Sequence, residues 1–463
     1  MPCLTVPLLP RPRLRPARAS LLALALLAGG AIGLTGTARA QSLLALYEAA
    51  RGYDAAYQSA RAQAESLVYK AEQSRALKRP SVNGSASWAE SRSETPYSTT
   101  TVTRLSQQSV GVTAQQSLFN RGNDKIIAQA DKAIEVARSQ LAAIEQDLIV
   151  RLAQAYFDVL AASDALGTVQ TSKKAIAEQL ASAKRNFEVG TATITDTREA
   201  QAKFDLATAQ ALAAENDLNV KRLALEGVVG RTGVRPQPMA LPIVLPGTGA
   251  ADVEEWVSQA DQLSPTLTQL RLAREVARLE TEKARTGNLP TVGVSGSLTD
   301  AQSKLSGRTP GGSFGPSSGN GLSANVALQL TMPLYTGQAV QNRIKETLAL
   351  EDKAQSDLDA ARRGVAQGTR SAFFGLNSLR AQVTALEAAE SSSKLALEAT
   401  QLGYKVGVRV NLDVLNAQTQ LYQAQRDLAR ARYDVVVNSL KLRQVSGQLQ
   451  PQDVNAVDAL LAR

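Results

Sequence analysis

The sequence predicts an α+β membrane protein with a twofold internal repeat, each half holding a pair of membrane-crossing strands and a long helical hairpin. Three observations predict it. One short stretch occurs twice, unusually long helical segments flank both copies, and four stretches alternate apolar and polar residues.

The first copy runs Asn186-Phe187-Glu188-Val189-Gly190-Thr191-Ala192-Thr193-Ile194-Thr195-Asp196. The second runs Gly403-Tyr404-Lys405-Val406-Gly407-Val408-Arg409-Val410-Asn411-Leu412-Asp413. Phe187 matches Tyr404, Gly190 matches Gly407 and Asp196 matches Asp413 at one constant offset. Glycine ends a helix by taking a left-handed conformation without steric cost, and Thr, Asn or Asp just beyond it caps the next one. Each copy therefore reads as the tip of a helical hairpin. The repeat is too long for a solenoid unit and indicates a duplicated half-domain.

Before the first half, Arg11, Arg13, Arg15 and Arg18 precede the apolar run Leu21 to Leu27 and a small-x-small site at Ala38-Arg39-Ala40. This is expected to be a signal peptide over 1–40, because the apolar run is too short to span a bilayer. Its loss would remove five arginines and lower the formal charge from +9 to +4. It would also remove Cys3, the single cysteine, so neither disulfides nor a lipid anchor are expected. Neither charge nor any basic-aromatic cluster suggests nucleic acid.

The chain has no histidine, which argues against a zinc hydrolase or a His-based triad in the usual form. No phosphate-loop motif appears, and the Gly-rich run from Pro310 to Gly315 reads as a flexible loop. No enzyme, cofactor or metal is expected.

The helices carry a heptad seam. After the second tip, Val414, Ala417, Leu421, Ala424, Leu428, Ala431 and Val435 alternate spacings of three and four. Similar seams flank the first tip. From Asp124 to Phe187 no proline occurs and only Gly167 interrupts, which predicts a helix of roughly 95 Å. Gln338 to Leu402 is similar, with Gly364, Gly368 and Gly375 as expected weak points.

The strands show a period of two. Val110, Val112, Ala114 and Leu118 form one apolar row; Leu322, Ala324, Val326, Leu328 and Leu330 form another. Rows from Val82 and Val292 are weaker. About ten residues each is expected, with loops over 91–105 and 303–320. The alternate residues are polar but almost uncharged, as the lining of a water-filled barrel would be. Phe119 and Tyr335 stand at equivalent strand ends, positions suited to an aromatic belt, and Trp88 is a third candidate interface aromatic. Four strands cannot close a membrane barrel, and open edges are not tolerated in lipid. A trimer with about twelve strands is the expected solution. The expected boundaries are 41–230 for the first repeat, 231–264 for a proline-rich link, 265–447 for the second repeat and 448–463 for a tail.

With these residues in place, the sequence resembles the TolC family of outer-membrane efflux and secretion channels over essentially the whole mature chain. The resemblance rests on both tips and on Ala155-Tyr156-Phe157-Asp158-Val159-Leu160, Leu118-Phe119-Asn120-Arg121-Gly122 and Pro333-Leu334-Tyr335-Thr336-Gly337. It implies a homotrimer whose twelve-stranded barrel in the outer membrane of a Gram-negative bacterium is continued by an α-helical coiled-coil barrel in the periplasm. It implies a periplasmic adaptor docked on Val189, Gly190, Thr191, Val406, Gly407 and Val408. An inner-membrane pump of RND, MFS or ABC type would supply the energy through that adaptor. It implies a pore constriction at Asp413 and Asn416, the latter an amide where an acid is usual. It implies a gating latch of Asp196, Thr195, Tyr404, Arg409 and Gln179, in which Arg409 and Tyr404 bond Asp196 and Gln179 meets a neutral Gln401. Capping alone is the plainer reading of both aspartates, with Asp196-x-x-Glu199 as the box. Two other readings are a trimeric surface adhesin with a barrel anchor, which would keep its strands together at the C-terminus, and a fibrous periplasmic scaffold, which would need no alternating strands.

Overall fold

The computed structural model describes residues 41–97, 99–240, 252–309 and 311–461. The expected signal peptide and residues 241–251 of the link lie outside the described residues.

The chain begins with helices α1 (Leu43–Tyr53) and α2 (Ala55–Arg75), then strands β1 (Ser81–Tyr97) and β2 (Thr99–Phe119). The long hairpin α3 (Arg121–Glu188) and α4 (Ile194–Val229) follows. After the link come α5 (Val253–Leu263), α6 (Pro265–Arg285), β3 (Thr291–Thr309) and β4 (Gly312–Thr331). The second hairpin is α7 (Ala339–Lys405) and α8 (Asn411–Val445), and α9 (Pro451–Asp458) ends the order. The succession helix, two strands, long helix, long helix thus occurs twice. Among the described residues no helix is long and apolar enough to cross a membrane.

The strands form one antiparallel sheet in the order β1-β2-β3-β4. Trp88 lies opposite Gln108, Gln108 opposite Gln302 and Gln302 opposite Asn320. Because side chains alternate, this register gathers Val82, Val110, Val294, Leu298, Val326 and Leu328 on one face. The other face is small and polar: the hydroxyls of Ser87 and Ser109 meet at 2.7 Å, and Ser85, Thr113, Ser297 and Asn325 share it. Gly111 sits where an added Cβ would come within 2.9 Å of the Thr299 hydroxyl, so β2 and β3 approach closely there. On the apolar face the belt runs from the row of Phe119, Val292 and Leu330 to the row of Val110, Asp300 and Leu322. Trp88 lies one row beyond it, and Tyr335 lies past the end of β4, 85% exposed. Phe119 and Trp88 therefore mark opposite limits of the belt rather than one.

The strands are 17 to 21 residues long, about twice the expected length. The expected loops 91–105 and 303–320 are mostly strand: β1 runs to Tyr97 and β2 starts at Thr99, and β3 runs to Thr309 and β4 starts at Gly312. Threonine favours extended backbone, and β2 and β3 each have a neighbour on both sides to satisfy their backbone groups. Pro96 and Pro316 fall on β1 and β4, the edge strands, where a missing donor is tolerated.

α3 is 68 residues, about 100 Å, and α7 is 67. Neither breaks at its internal glycines. A glycine costs about 1 kcal/mol in a helix, little against packing along so many turns. Near the sheet the helices lie side by side as α2-α3-α6-α7, and toward the tips as α4-α3-α8-α7. One flank of the chain is thus formed by β1, α2 and α4, the other by β4 and α7. These flanks keep large apolar side chains exposed: Leu212 (64%) and Leu223 on α4, Phe374, Leu395 (68%) and Leu402 on α7.

The best-buried core lies at mid-height. Tyr156 and Phe157 of α3 pack with Tyr433 and Val436 of α8, Leu43 and Leu46 of α1, and Val454 and Val457 of α9. Phe157 stacks on Tyr433 at 5.7 Å, and the Tyr433 hydroxyl donates to Asp164 at 2.6 Å. Trp256 of α5 fills a neighbouring core with Phe373, Leu376 and Val435. The short helices α1, α5 and α9 therefore bind the long ones into a belt. Nearer the sheet, Glu280 of α6 accepts from Gln129 of α3 and Arg343 of α7, both at 2.8 Å. Burial raises its pKa, but Gln129, Lys283 and Arg343 outweigh that and hold it down at about 2. The lock between these three helices is thus complete above pH 4.5 and is lost only as pH falls toward 2.

Gly447 ends α8 at φ +74°, with the backbone of Leu263 2.5 Å from where a Cβ would stand. Gly407 has a similar φ of +78° but open space around it. Gly447→Ala is expected to destabilise by about 3 kcal/mol or more, and Gly407→Ala by about 1–2 kcal/mol. Thermal unfolding in detergent, followed by near-ultraviolet circular dichroism, checks the ranking.

Candidate gate at the hairpin tips

The two tips end their helices alike. At the first, Gly190 donates to Phe187 O at 3.0 Å and Thr191 to Asn186 O at 2.8 Å. At the second, Gly407 donates to Tyr404 O at 3.1 Å and Val408 to Gly403 O at 2.9 Å. This pair of bonds needs a left-handed residue, and Gly190 and Gly407 supply it at φ +76° and +78°. Around them Val189, Val406 and Val408 are 66–78% exposed, an apolar rim at the end of the helical body.

Beyond the turns the two copies diverge. The Thr193 backbone and hydroxyl both donate to Asp196 Oδ2, at 2.9 and 2.8 Å, and the Asp196 backbone donates back to the Thr193 hydroxyl at 3.2 Å. The capping box is thus Thr193 with Asp196, one step before the expected Asp196 with Glu199. In the second copy Val410 stands where Thr193 does and has no side-chain oxygen. Only half a box remains, the Val410 N–H reaching Asp413 Oδ2 at 3.5 Å. The Asp413 carboxylate then takes Arg409, 3.6 Å away on the same helix start. The stem of Arg409 crosses Gly403, where a Cβ would meet its Cγ at 2.8 Å.

The expected bonds from Arg409 and Tyr404 to Asp196 are therefore not made within the chain. Asp196 is already committed to Thr193, and Arg409 has a nearer carboxylate in Asp413. The Tyr404 hydroxyl instead accepts from the Asn186 side-chain amide at 3.1 Å. Gln179 is bonded to the Asn411 side-chain oxygen rather than facing Gln401. Thr195 stands exposed on the first turn of α4 and Asn416 on the second turn of α8. Leu415 of α8 is fully buried against Ile176, Leu180 and Ala183 of α3 and Ala200 of α4.

At the tips, what joins one hairpin to the other is thus an apolar knob flanked by two neutral hydrogen bonds. Asn186 and Asn411 were missed in the sequence. Their signal was a polar residue on a seam that is otherwise apolar, and Asn186 matches a glycine in the other copy. Asn411 and Gln418 are buried, with Asn411 Nδ2 and Gln418 Oε1 unbonded within the chain. The Arg409–Asp413 pair is exposed on both sides and contributes about 0–1 kcal/mol.

Comparison with known proteins fits this architecture. The family model described as outer membrane efflux protein matches residues 46–231 and 256–448. Outer membrane protein TolC of Vibrio cholerae is 32% identical over 94% of this chain and 98% of its own length. Alkaline protease secretion protein AprF of Pseudomonas aeruginosa is 31% identical over 72% of this chain and 68% of its own. Among solved structures, the outer membrane protein VceC from Vibrio cholerae superposes with a TM-score of 0.72, covering 88% of this chain and 96% of that one at 18% identity. CusC superposes with a TM-score of 0.74 over 88% of this chain and 92% of that one at 16% identity.

Tyr404→Phe removes one neutral bond, worth about 1 kcal/mol, and should speed hydrogen exchange of the tip amides 403–409 by about fivefold. Gln179→Leu leaves the buried Asn411 oxygen unpaired, about 1–3 kcal/mol, and should speed it by roughly 5- to 150-fold. Arg409→Ser should change it least. If Arg409→Ser has the largest effect, the ion pair and not the neutral bonds holds the tips.

Proposed function

Because this chain belongs to the outer membrane efflux protein family, we propose that three copies close into one passive duct through the outer membrane and across the periplasm. Membership places it in the outer membrane of a Gram-negative bacterium, as a route for efflux or secretion rather than an enzyme. It sets aside the adhesin and scaffold alternatives. The observation that carries the trimer is that the same two flanks stay open at every level. An open sheet edge is not viable in lipid, and three four-stranded sheets give about twelve strands, well above the smallest closed barrels. The apolar face would turn to lipid and the small polar face to water. Phe119 and Tyr335 would lie at the periplasmic limit of the belt and Trp88 at the outer one, as interfacial aromatics do.

The tips would form the periplasmic mouth. Val189, Gly190, Thr191, Val406, Gly407 and Val408 offer a periplasmic adaptor an apolar rim. An inner-membrane pump of RND, MFS or ABC type would act through that adaptor. Binding that favours separated tips would shift the gate by its differential affinity. The neutral contacts Gln179–Asn411 and Asn186–Tyr404 support a mouth that such binding can part. Thr195 and Asp196 would meet the neighbouring copy's tip in the latch. Asp413 would narrow the pore, with Asn416 one helical turn on supplying an amide in place of a second charge. Relatives named for efflux and for protease secretion support the duct and leave both cargoes open.

Two outcomes test this. Detergent-extracted protein should have the mass of three chains; a folded monomer that conducts in planar bilayers would end the barrel model. Asp413→Asn should lower cation selectivity and divalent block in single-channel recordings, because three carboxylates focus a negative potential at a constriction. Asn416→Asp should raise both. Unchanged selectivity in Asp413→Asn would leave Asp413 as a cap only.

A further inference from the structure

Outside the belt, the apolar face of the sheet becomes basic. Arg92 on β1 lies directly opposite Arg104 on β2. Arg104 lies opposite Ser306 on β3, which makes it the diagonal neighbour of both Lys304 and Arg308. All four are exposed and share one face. Arg92 turns to Glu94, two residues along its own strand. Among the described residues no ion pair includes Arg104, Lys304 or Arg308. Glu90 stands opposite Ser106, one strand removed from Lys304, and Asp300 is back at the limit of the belt. Like charges facing each other across strands are destabilising. An anion seated among them removes that cost.

We infer that Arg104, Lys304 and Arg308, with Arg92 beside them, form a binding site for the phosphate groups of a phosphorylated glycolipid in the surrounding outer leaflet. The inference rests on the barrel reading above. Height selects the lipid. Lys304 and Arg308 lie four and eight residues beyond Asp300, about 13 and 27 Å along the strand. With a strand tilt of about 40°, these become roughly 10 and 20 Å above the apolar belt. The ordinary headgroup layer adds only about 5–8 Å on each side of the hydrocarbon. A glycerophospholipid phosphate therefore falls below the cluster, whereas phosphates carried on a saccharide headgroup reach it.

The test uses the assembled protein in nanodiscs of neutral lipid doped with one of three probes: a phosphorylated glycolipid, the same lipid after enzymatic dephosphorylation, or phosphatidylglycerol. Lipid retained per assembly is counted by native mass spectrometry. The wild type should retain the phosphorylated glycolipid over the other two. The triple variant R104Q/K304Q/R308Q should lose that preference, by about fivefold per cation and on the order of a hundredfold in all. Its mass and conductance should be unchanged. Should the triple variant not assemble, Lys304→Gln alone, and wild type in rising salt, should each lower retention. Equal retention by variant and wild type overturns the site. Equal retention of the dephosphorylated lipid assigns the contact to the apolar belt and overturns it too, and equal retention of phosphatidylglycerol overturns the choice of glycolipid. Wild type that does not enter nanodiscs at all overturns the barrel reading on which the inference stands.

Discussion

In lipid, every backbone amide must find a partner, and this chain's sheet leaves two edges without one. The rest of the molecule follows from how that requirement is met. β1 and β4 each carry one unpaired row, and α2, α4 and α7 continue the same two flanks downward, with Tyr69 on α2, leucines on α4 and α7, and Phe374 exposed. Incompleteness aligned from sheet to tip is what the proposed trimer would satisfy. The hydrophobic interior of a single chain is accordingly modest. It is concentrated at mid-height, where α1, α5 and α9 supply the third layer that two parallel hairpins lack.

Duplication gave two tips with one backbone and two uses. Where the first copy has Thr193, the second has Val410. One aspartate is therefore tied into a reciprocal cap, while its counterpart keeps a single backbone bond and takes Arg409. Where the second copy has Gly403, the first has Asn186, and that amide reaches across to Tyr404. The differences, not the shared Val-Gly pattern, decide which side chains face the neighbouring hairpin. The contact between the hairpin tips, made by amides and a phenol, is neutral, and salt does little to it.

Much of the fold was legible. The paired Gly190 and Gly407 located both tips, and the heptads through Val414 and Leu428 gave the long helices. The alternation at Val110 and Leu322 gave the strands. Strand length was not legible, because Ser, Thr and Gly between 91 and 105 or 303 and 320 look like loop. Only the presence of a paired neighbour keeps such residues extended. The site was legible in place but not in contacts. Arg409, Tyr404, Asp196 and Gln179 do cluster near the tips. Which carboxylate Arg409 takes depends on whether position 193 or 410 has a hydroxyl, a difference between copies that the shared pattern conceals.

The unbroken run of α3 has a mechanical side. From Tyr156 in the belt to Glu188 at the tip the helix has no proline and Gly167 does not interrupt it, so this segment is one continuous rod of about 48 Å. Pivoted at the belt, such a rod acts as a lever. A rotation of about 10° there carries its far end through about 8 Å, several times the length of the hydrogen bonds that hold it. Small repacking around Phe157 and Tyr433 would thereby be amplified into a displacement wide enough to part the tips, with no residue near them having to change its conformation.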